Sequence, residues 1–447
     1  MRAFSFPQDI IMLFDRELPL DLWVCEIVKH LDSPKDYLRF RATCKSWNLN
    51  LPKIPNHMKL SVPQLMLPFG YETDGILQVK PDFFHSSLPV DMPDTLFRGS
   101  GFGWLISVGL DGLIRMLNPH TKAQFNLPPM STIPNVVAYN PDVQDEEYTI
   151  KRTLPPNLPY ATIYTTSKYH IQEMNIKKII ISSPPPLDHK KKQQDDFMAI
   201  AIYGEHNQLA FCKLGDNKWR EFSTPGERIS YSLDDAIFYE GKIYGVGSNS
   251  RLVEFDLKTS SGSVTDMPHR PKDDPLIQFS GVNNKFLVCS DEGDLLMVVR
   301  YWTYTKRSDG DGDGGGGGGG GDDDDDGDDE EEEEEEEYFY KTSRFGLYKL
   351  DKRKKKWRRI SSLGDSVLVV GLNSSVCMLP FIDGNGKWVR NCIYFCDNNF
   401  VYHGEIVGGH DVGVFNLEDE RVEELFPNVE FIFPPPVWLF SQNVISY

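Results

Sequence analysis

The sequence predicts two unlike parts: a short all-α segment near the N-terminus and a large all-β domain filling the rest of the 447 residues. Three observations predict this. Apolar residues recur at helical spacing between residues 18 and 50. Beyond about residue 60, short apolar runs alternate with turns rich in Gly, Pro, Asn and Asp. Within that second region a strand, a polar turn and a strand recur as a unit.

The helical reading starts from Leu20, Trp23, Val24, Ile27, Val28 and Leu31, which form one wide apolar stripe. Pro19 stands where a first-turn proline is tolerated. Ser33-Pro34-Lys35-Asp36 reads as a capping box. A second helix follows through Tyr37, Leu38, Arg41 and Cys44, with Trp47 just beyond.

The β reading rests on many short runs. Residues 104–108 and 113–117 flank Asp111-Gly112 as a hairpin. Similar runs lie at 197–203, 209–214, 236–239, 242–246, 252–257, 286–290, 295–300, 345–350, 367–371, 392–396 and 412–417. The recurring unit is centred on Asn118-Pro119, Gly215-Asp216, Asp256, Asp351 and Asn416. Trp219 and Trp357 close two of its turns. The shortest spacing between centres, about 41 residues, fits one blade of a β-propeller, and the longest, about 97, fits two. The expected architecture is a β-propeller of six or seven blades.

Residues 308–337 interrupt this pattern. From Asp309 to Glu337 the chain holds ten Asp and eight Glu, with a run of Gly among them. Such a composition cannot bury enough apolar surface to offset its ordering entropy, so the segment reads as a disordered loop inserted in one blade. The formal net charge of −19 belongs to this tract. Without it, 48 acidic residues stand against 47 basic ones, and no whole-chain preference for basic or acidic partners follows. The expected organisation is an extension over 1–17, the helical segment over 18–50, a linker over 51–62 and the β domain over 63–447.

No run of about 18 apolar residues occurs, so no membrane span is expected. The apolar stretch 10–14 is too short for a secretory signal and is bounded by Asp9 and Asp15. Seven Cys without framework spacing fit reduced, mostly buried thiols in a nuclear or cytoplasmic protein. Asn373-Ser374-Ser375 matches a glycosylation acceptor and, without a signal, reads as chance.

Residues 18–47 resemble the F-box. A Leu-Pro opening, an amphipathic helix, a central Asp and an Arg-Phe-Arg-x-x-Cys-Lys-x-Trp close occur in order. The matching positions are Leu18, Pro19, Leu22, Ile27, Leu31, Leu38, Arg39, Phe40, Arg41, Cys44, Lys45 and Trp47. Trp23 and Cys25 depart from the usual pattern. An independent argument points the same way. A module of 30 to 40 residues cannot hide this many large apolar side chains in its own core, which leaves apolar surface for a partner or for the β domain. The later chain resembles the F-box-associated, KIB-type propeller domain of plants. Gly101-Phe102-Gly103-Trp104, Asn391-Cys392-Ile393-Tyr394-Phe395, Asp411 to Glu418 and Phe433 to Trp438 carry that resemblance.

The resemblance implies the substrate-recognition subunit of a Skp-cullin-F-box ubiquitin ligase, itself not an enzyme. Leu18, Pro19, Leu22, Ile27, Leu31, Leu38 and Trp47 would pack on a Skp-type adaptor, and through it on a cullin. The propeller would hold a protein substrate. An F-box scaffold acting outside ubiquitination is the alternative, and a propeller enzyme a further one. Neither a cofactor nor a metal is expected, and neither a nucleic acid nor a membrane as partner. Cys392, Cys396, His403 and His410 lack zinc-finger spacing. Asp309, Asp311 and Asp313 mimic half of a calcium loop that has Gly320 where a ligating Glu belongs. The basic run 352–359 reads as a solvated hairpin turn, with an import signal or a nucleic-acid patch as alternatives.

Overall fold

The computed structural model describes residues 63–67, 85–87, 94–119, 121–152, 162–186, 197–222, 232–256, 261–263, 283–306, 338–380, 388–398, 409–426, 432 and 434–440, with scattered positions between 27 and 51. Seven sheets form among them. Sheet I joins β1 (Gln64–Leu67) and β2 (His85–Ser87) to the late strand β27 (Val437–Leu439). Sheet II is β3 (Thr95–Gly101), β4 (Trp104–Gly109), β5 (Ile114–Leu117) and β6 (Gln124–Leu127). Sheet III is β7 (Val136–Tyr139), β8 (Tyr148–Lys151) and β9 (Ile163–Thr166). A two-turn helix, α1 (Lys168–Met174), then leads into sheet IV, and Ser167 caps it by accepting from His170 N–H.

Sheet IV is β10 (Ile176–Ile181), β11 (Met198–Tyr203), β12 (Gln208–Lys213) and β13 (Arg220–Glu221). Sheet V is β14 (Leu233–Tyr239), β15 (Lys242–Gly247), β16 (Leu252–Asp256) and β17 (Ser261–Ser263). Sheet VI is β18 (Asn283–Cys289), β19 (Leu295–Lys306), β20 (Tyr338–Asp351) and β21 (Lys356–Ile360). Sheet VII holds β22 (Val367–Val370), β23 (Val376–Met378), β24 (Cys392–Phe395), β25 (Gly413–Asn416) and β26 (Arg421–Glu424). Sheets II, IV, V and VI are antiparallel meanders, each strand pairing with the next in sequence. Their turns are read in the sequence. Phe102-Gly103 and Glu240-Gly241 both have two consecutive positive φ angles, the backbone of a tight two-residue hairpin.

The apolar runs are nearly continuous because both faces of these sheets are covered. Ile179 and Ile181 enter the cluster shared with sheet II, while Ile180 between them enters the cluster shared with sheet V. The same alternation repeats along the chain. Phe238 faces sheet IV and Ile237 faces sheet VI. Leu287 faces sheet V and Phe286 faces sheet VII. Leu368 faces sheet VI, while Val367 and Val369 share a cluster with Leu65 and Leu67 of sheet I. Met66 then packs with Phe97 and Leu105 of sheet II, returning to the start. Six sheets thus share clusters in an unbroken circuit, and sheet III buttresses sheets II and IV through Tyr148 and Ile150.

Each expected run overlaps one of these strands, though several reach a residue or so beyond its end, and the described residues are mostly β. The sequence reading missed sheet III, α1 and β10, whereas the strand-like stretches expected on either side of the acidic tract, 295–304 and 338–350, fall within β19 and β20. Those two pair out to Lys306↔Tyr338, so the acidic tract joins the tip of this hairpin. The disordered-loop reading of 308–337 lies outside the described residues. Trp219 and Trp357 are both buried, the first donating its indole N–H to the Pro128 carbonyl.

Sheets II and IV come into close contact at Gly99 of β3, where a Cβ would overlap the Ile179 carbonyl of β10. Gly99→Ala should lower the unfolding free energy by about 2 kcal/mol or more, read by denaturant titration. Unchanged stability would show that the two strands can separate at no cost.

Candidate functional site

The first candidate is the helical segment. Ile27 is 41% exposed and its neighbour Val28 is 5% exposed, so the helix has an open side and a packed side. Tyr37 is fully buried, and Phe40 stacks on Trp47 with ring centroids 4.5 Å apart. Leu51 N–H donates to the Trp47 carbonyl and continues this packing. Val28, Tyr37 and Leu51 belong to the same apolar cluster as Val369, Tyr394 and Trp438, and Leu31, Phe40 and Trp47 pack against it. Of the residues expected to meet an adaptor, Ile27 therefore faces out, while Leu31 and Trp47 face the shared cluster. Leu18, Pro19, Leu22 and Leu38 lie outside the described residues.

The second candidate is a set of buried charges between sheets VI and VII. Arg300 on β19 is fully buried. Its guanidinium donates to Thr342 Oγ1 at 2.7 Å, Asp411 Oδ2 at 2.6 Å and Asp397 Oδ1 at 3.3 Å. Asp397 also accepts from the Tyr340 hydroxyl and from Gly409 N–H. Asp411 accepts from both N–H and hydroxyl of Thr342 at 2.7 Å. His410 Nε2 lies 2.9 Å from the Tyr340 carbonyl, which makes that nitrogen the protonated one. Burial alone would lower the Arg300 pKa, but the Asp411 and Asp397 carboxylates outweigh it and hold the group above the ordinary guanidinium range. Burial, reinforced by the Asp397 charge, pushes the Tyr340 phenol well up.

A related chain of charges links β10, β14 and β18. Lys178 Nζ lies 2.7 Å from Asp235 Oδ1 and donates to the Gly371 carbonyl at 3.1 Å. Asp235 accepts Leu287 N–H, and Lys285 pairs with Asp234 at 3.1 Å. Burial drives the Lys178 pKa down and the Asp235 pKa up, and each opposes the other's shift through its charge. Arg98 of β3 donates to the Gln172 and Glu173 carbonyls at the C-terminal end of α1.

These groups are interior ties and not an open catalytic centre. Arg300, Asp397, Asp411 and Tyr340 spend their polar atoms on one another and are almost wholly buried. Among the described residues, no three His, Cys, Asp or Glu side chains are grouped to hold a metal ion. Cys392 and Cys396 are buried, which raises the first thiol to about 11 and the second well above its usual range. His403 lies outside the described residues. Asn373 is fully buried and donates to the Val369 and Ser374 carbonyls, so the folded chain cannot present it for glycosylation. The sequence reading missed these ties. Their signal was a charge breaking an apolar strand run, as in Lys178 before Ile179 and Arg300 after Val299.

Residues 77–416 match the model of the KIB1-4 β-propeller family. The chain belongs to that family. The KIB1-4 propeller therefore accounts for the circuit of sheets built above. Relatives in Arabidopsis thaliana extend further. The F-box protein SKIP23 is 24% identical over 450 residues, covering 95% of this chain and 95% of its own. A second F-box protein is 22% identical over 451 residues with the same coverage of both chains. A third, described as a putative F-box protein, is 21% identical over 236 residues, covering 52% of this chain and 53% of its own.

Arg300→Met should cost about 3–5 kcal/mol at pH 7, because it strands two buried carboxylates. Urea titration checks this, and an unchanged unfolding midpoint would contradict the reading of Arg300 as their counter-ion.

Proposed function

We propose that this chain is the substrate-recognition subunit of a Skp-cullin-F-box ubiquitin ligase. Residues 18–50 are its F-box, and the propeller over 63–447 receives a protein substrate. The observation that carries this reading is the run of a dozen F-box positions between Leu18 and Trp47 placed ahead of a KIB1-4 propeller. Full-length relatives named as F-box proteins support it. Sheets I, II, IV, V, VI and VII serve as six blades, with sheet III as an accessory.

The chemistry is proximity. A substrate held on the propeller and an adaptor held on the F-box raise the effective concentration of a substrate lysine near activated ubiquitin. No residue of this chain makes or breaks a bond. The adaptor meets the side of the helical segment that carries Ile27, because Val28, Tyr37 and Leu51 are engaged in the cluster shared with the propeller. The complex works in the nucleus or the cytoplasm.

Affinity capture of a recombinant Skp-type adaptor tests this. The wild-type chain should retain the adaptor, and Leu18→Ala/Pro19→Ala should release it. Ile27→Asp should weaken capture at least about tenfold with little change in melting temperature. Trp47→Ala should instead lower the melting temperature, because it removes the stacking partner of Phe40. Failure of the wild-type chain to bind any Skp-type adaptor would overturn the proposal.

A further inference from the structure

The turn between β20 and β21 concentrates positive charge on a rigid base. Arg353, Lys354, Lys355, Lys356 and Arg358 are all exposed, and among the described residues none takes part in a salt bridge. Neighbouring cations behave differently. Lys349 pairs with Asp294, Lys352 with Glu240, and Arg359 with Glu420. The acid closest to the turn, Asp351, is already committed, accepting the backbone N–H groups of Arg353 and Lys354. Lys355 holds the left-handed conformation that closes the turn, at φ 49°.

The base is fixed on both sides. Trp357 is 2% exposed and opposite Leu350 in the ladder. Lys352 is held by Glu240 and lies over the Tyr239 ring, 4.7 Å from its centroid. The five cations therefore repel one another in a geometry the fold enforces, and the charge is organised before any partner arrives. The run is thus a closed turn with its tryptophan inside.

We propose that this turn is a docking site for a short acidic segment of a protein partner. On the reading given under Proposed function, that partner is a substrate of the ligase. Charge complementarity sets the class, and the surroundings set the length. Exposed Glu240 and Glu292 lie on the turns beside it, so the positive field is confined to one turn. A long nucleic-acid backbone would run onto those carboxylates, whereas a few consecutive Asp or Glu residues match the cations and stop. The described strand ends that the chain's own acidic tract joins, Lys306 and Tyr338, stand at the opposite end of the 14-residue β20, roughly 46 Å from the turn at about 3.3 Å per residue.

Fluorescence anisotropy on the full chain alone, without adaptor, tests the site. The probe is a labelled peptide of eight alternating Asp and Glu residues at low salt. The wild-type chain should bind it, and Lys354→Glu/Lys355→Glu should weaken binding at least about tenfold with an unchanged melting temperature. Raising the salt to about 200 mM should weaken the wild type toward the variant. Equal binding by the two chains would overturn the proposal, as would tighter binding of a single-stranded oligonucleotide or an anionic vesicle than of the peptide. Salt-sensitive self-association that disappears on deleting residues 308–337 would assign the turn to the chain's own acidic tract and likewise overturn it. Because the adaptor is absent, failure here leaves the F-box reading standing.

Discussion

Everything in this molecule depends on the strand having two faces that enter two different clusters. A side chain at one position packs toward the preceding sheet and its neighbour toward the next, as Leu65 and Met66 do in sheet I. No sheet can then bury itself alone, since each supplies half of two cores. Fully burying an aliphatic or aromatic side chain contributes about 1.5–3 kcal/mol, and this arrangement applies that gain to both faces of a four-stranded sheet. The requirement also explains a glycine where two sheets meet closely. Where β3 meets β10, no side chain fits at Gly99.

Buried charge is the second constraint. Where polar groups leave water between adjacent sheets, the chain pairs charges across sheets. Lys178 and Asp235 link sheets IV and V, while Arg300 and Asp411 link sheet VI to the segment leading into β25. Such pairs add less to stability than apolar packing of similar volume, because desolvation offsets their attraction. Their effect is on geometry. A carboxylate that must meet one cation at hydrogen-bond distance fixes how two sheets sit against each other.

Much of the propeller was legible in the sequence, because its strands are continuous apolar runs bounded by turn residues. The run 197–203 needed no context to be read as a strand. Sheet III was not legible, since Val137, Tyr139 and Ile163 are exposed and spoil the alternation that marks a half-buried strand. The extent of β19 and β20 was legible to within about two residues, but the roles of Arg300 and Thr342 within them were not, because their partners Asp397 and Asp411 lie beyond these two strands. The pairing of Leu65 with Trp438 depends on contacts across nearly the whole chain, which no local pattern encodes. At the helical segment the motif was legible and the direction of each side chain was not. The stripe holding Ile27, Val28 and Leu31 is wider than one interface, and the cluster with sheets I and VII divides it.

Sheet I also bears on how the protein comes into being. Its β1 is made early and β27 late, and the two pair antiparallel from Gln64↔Leu439 to Met66↔Val437. A chain growing from the ribosome can assemble its middle sheets as they emerge. It must keep Leu65, Leu67 and the matching face of sheet VII without their final partner until residues 437–439 are released. Throughout that interval an apolar seam stands open to water and to chaperones. Late truncations should therefore be judged by an unclosed seam, not by the small number of residues they remove.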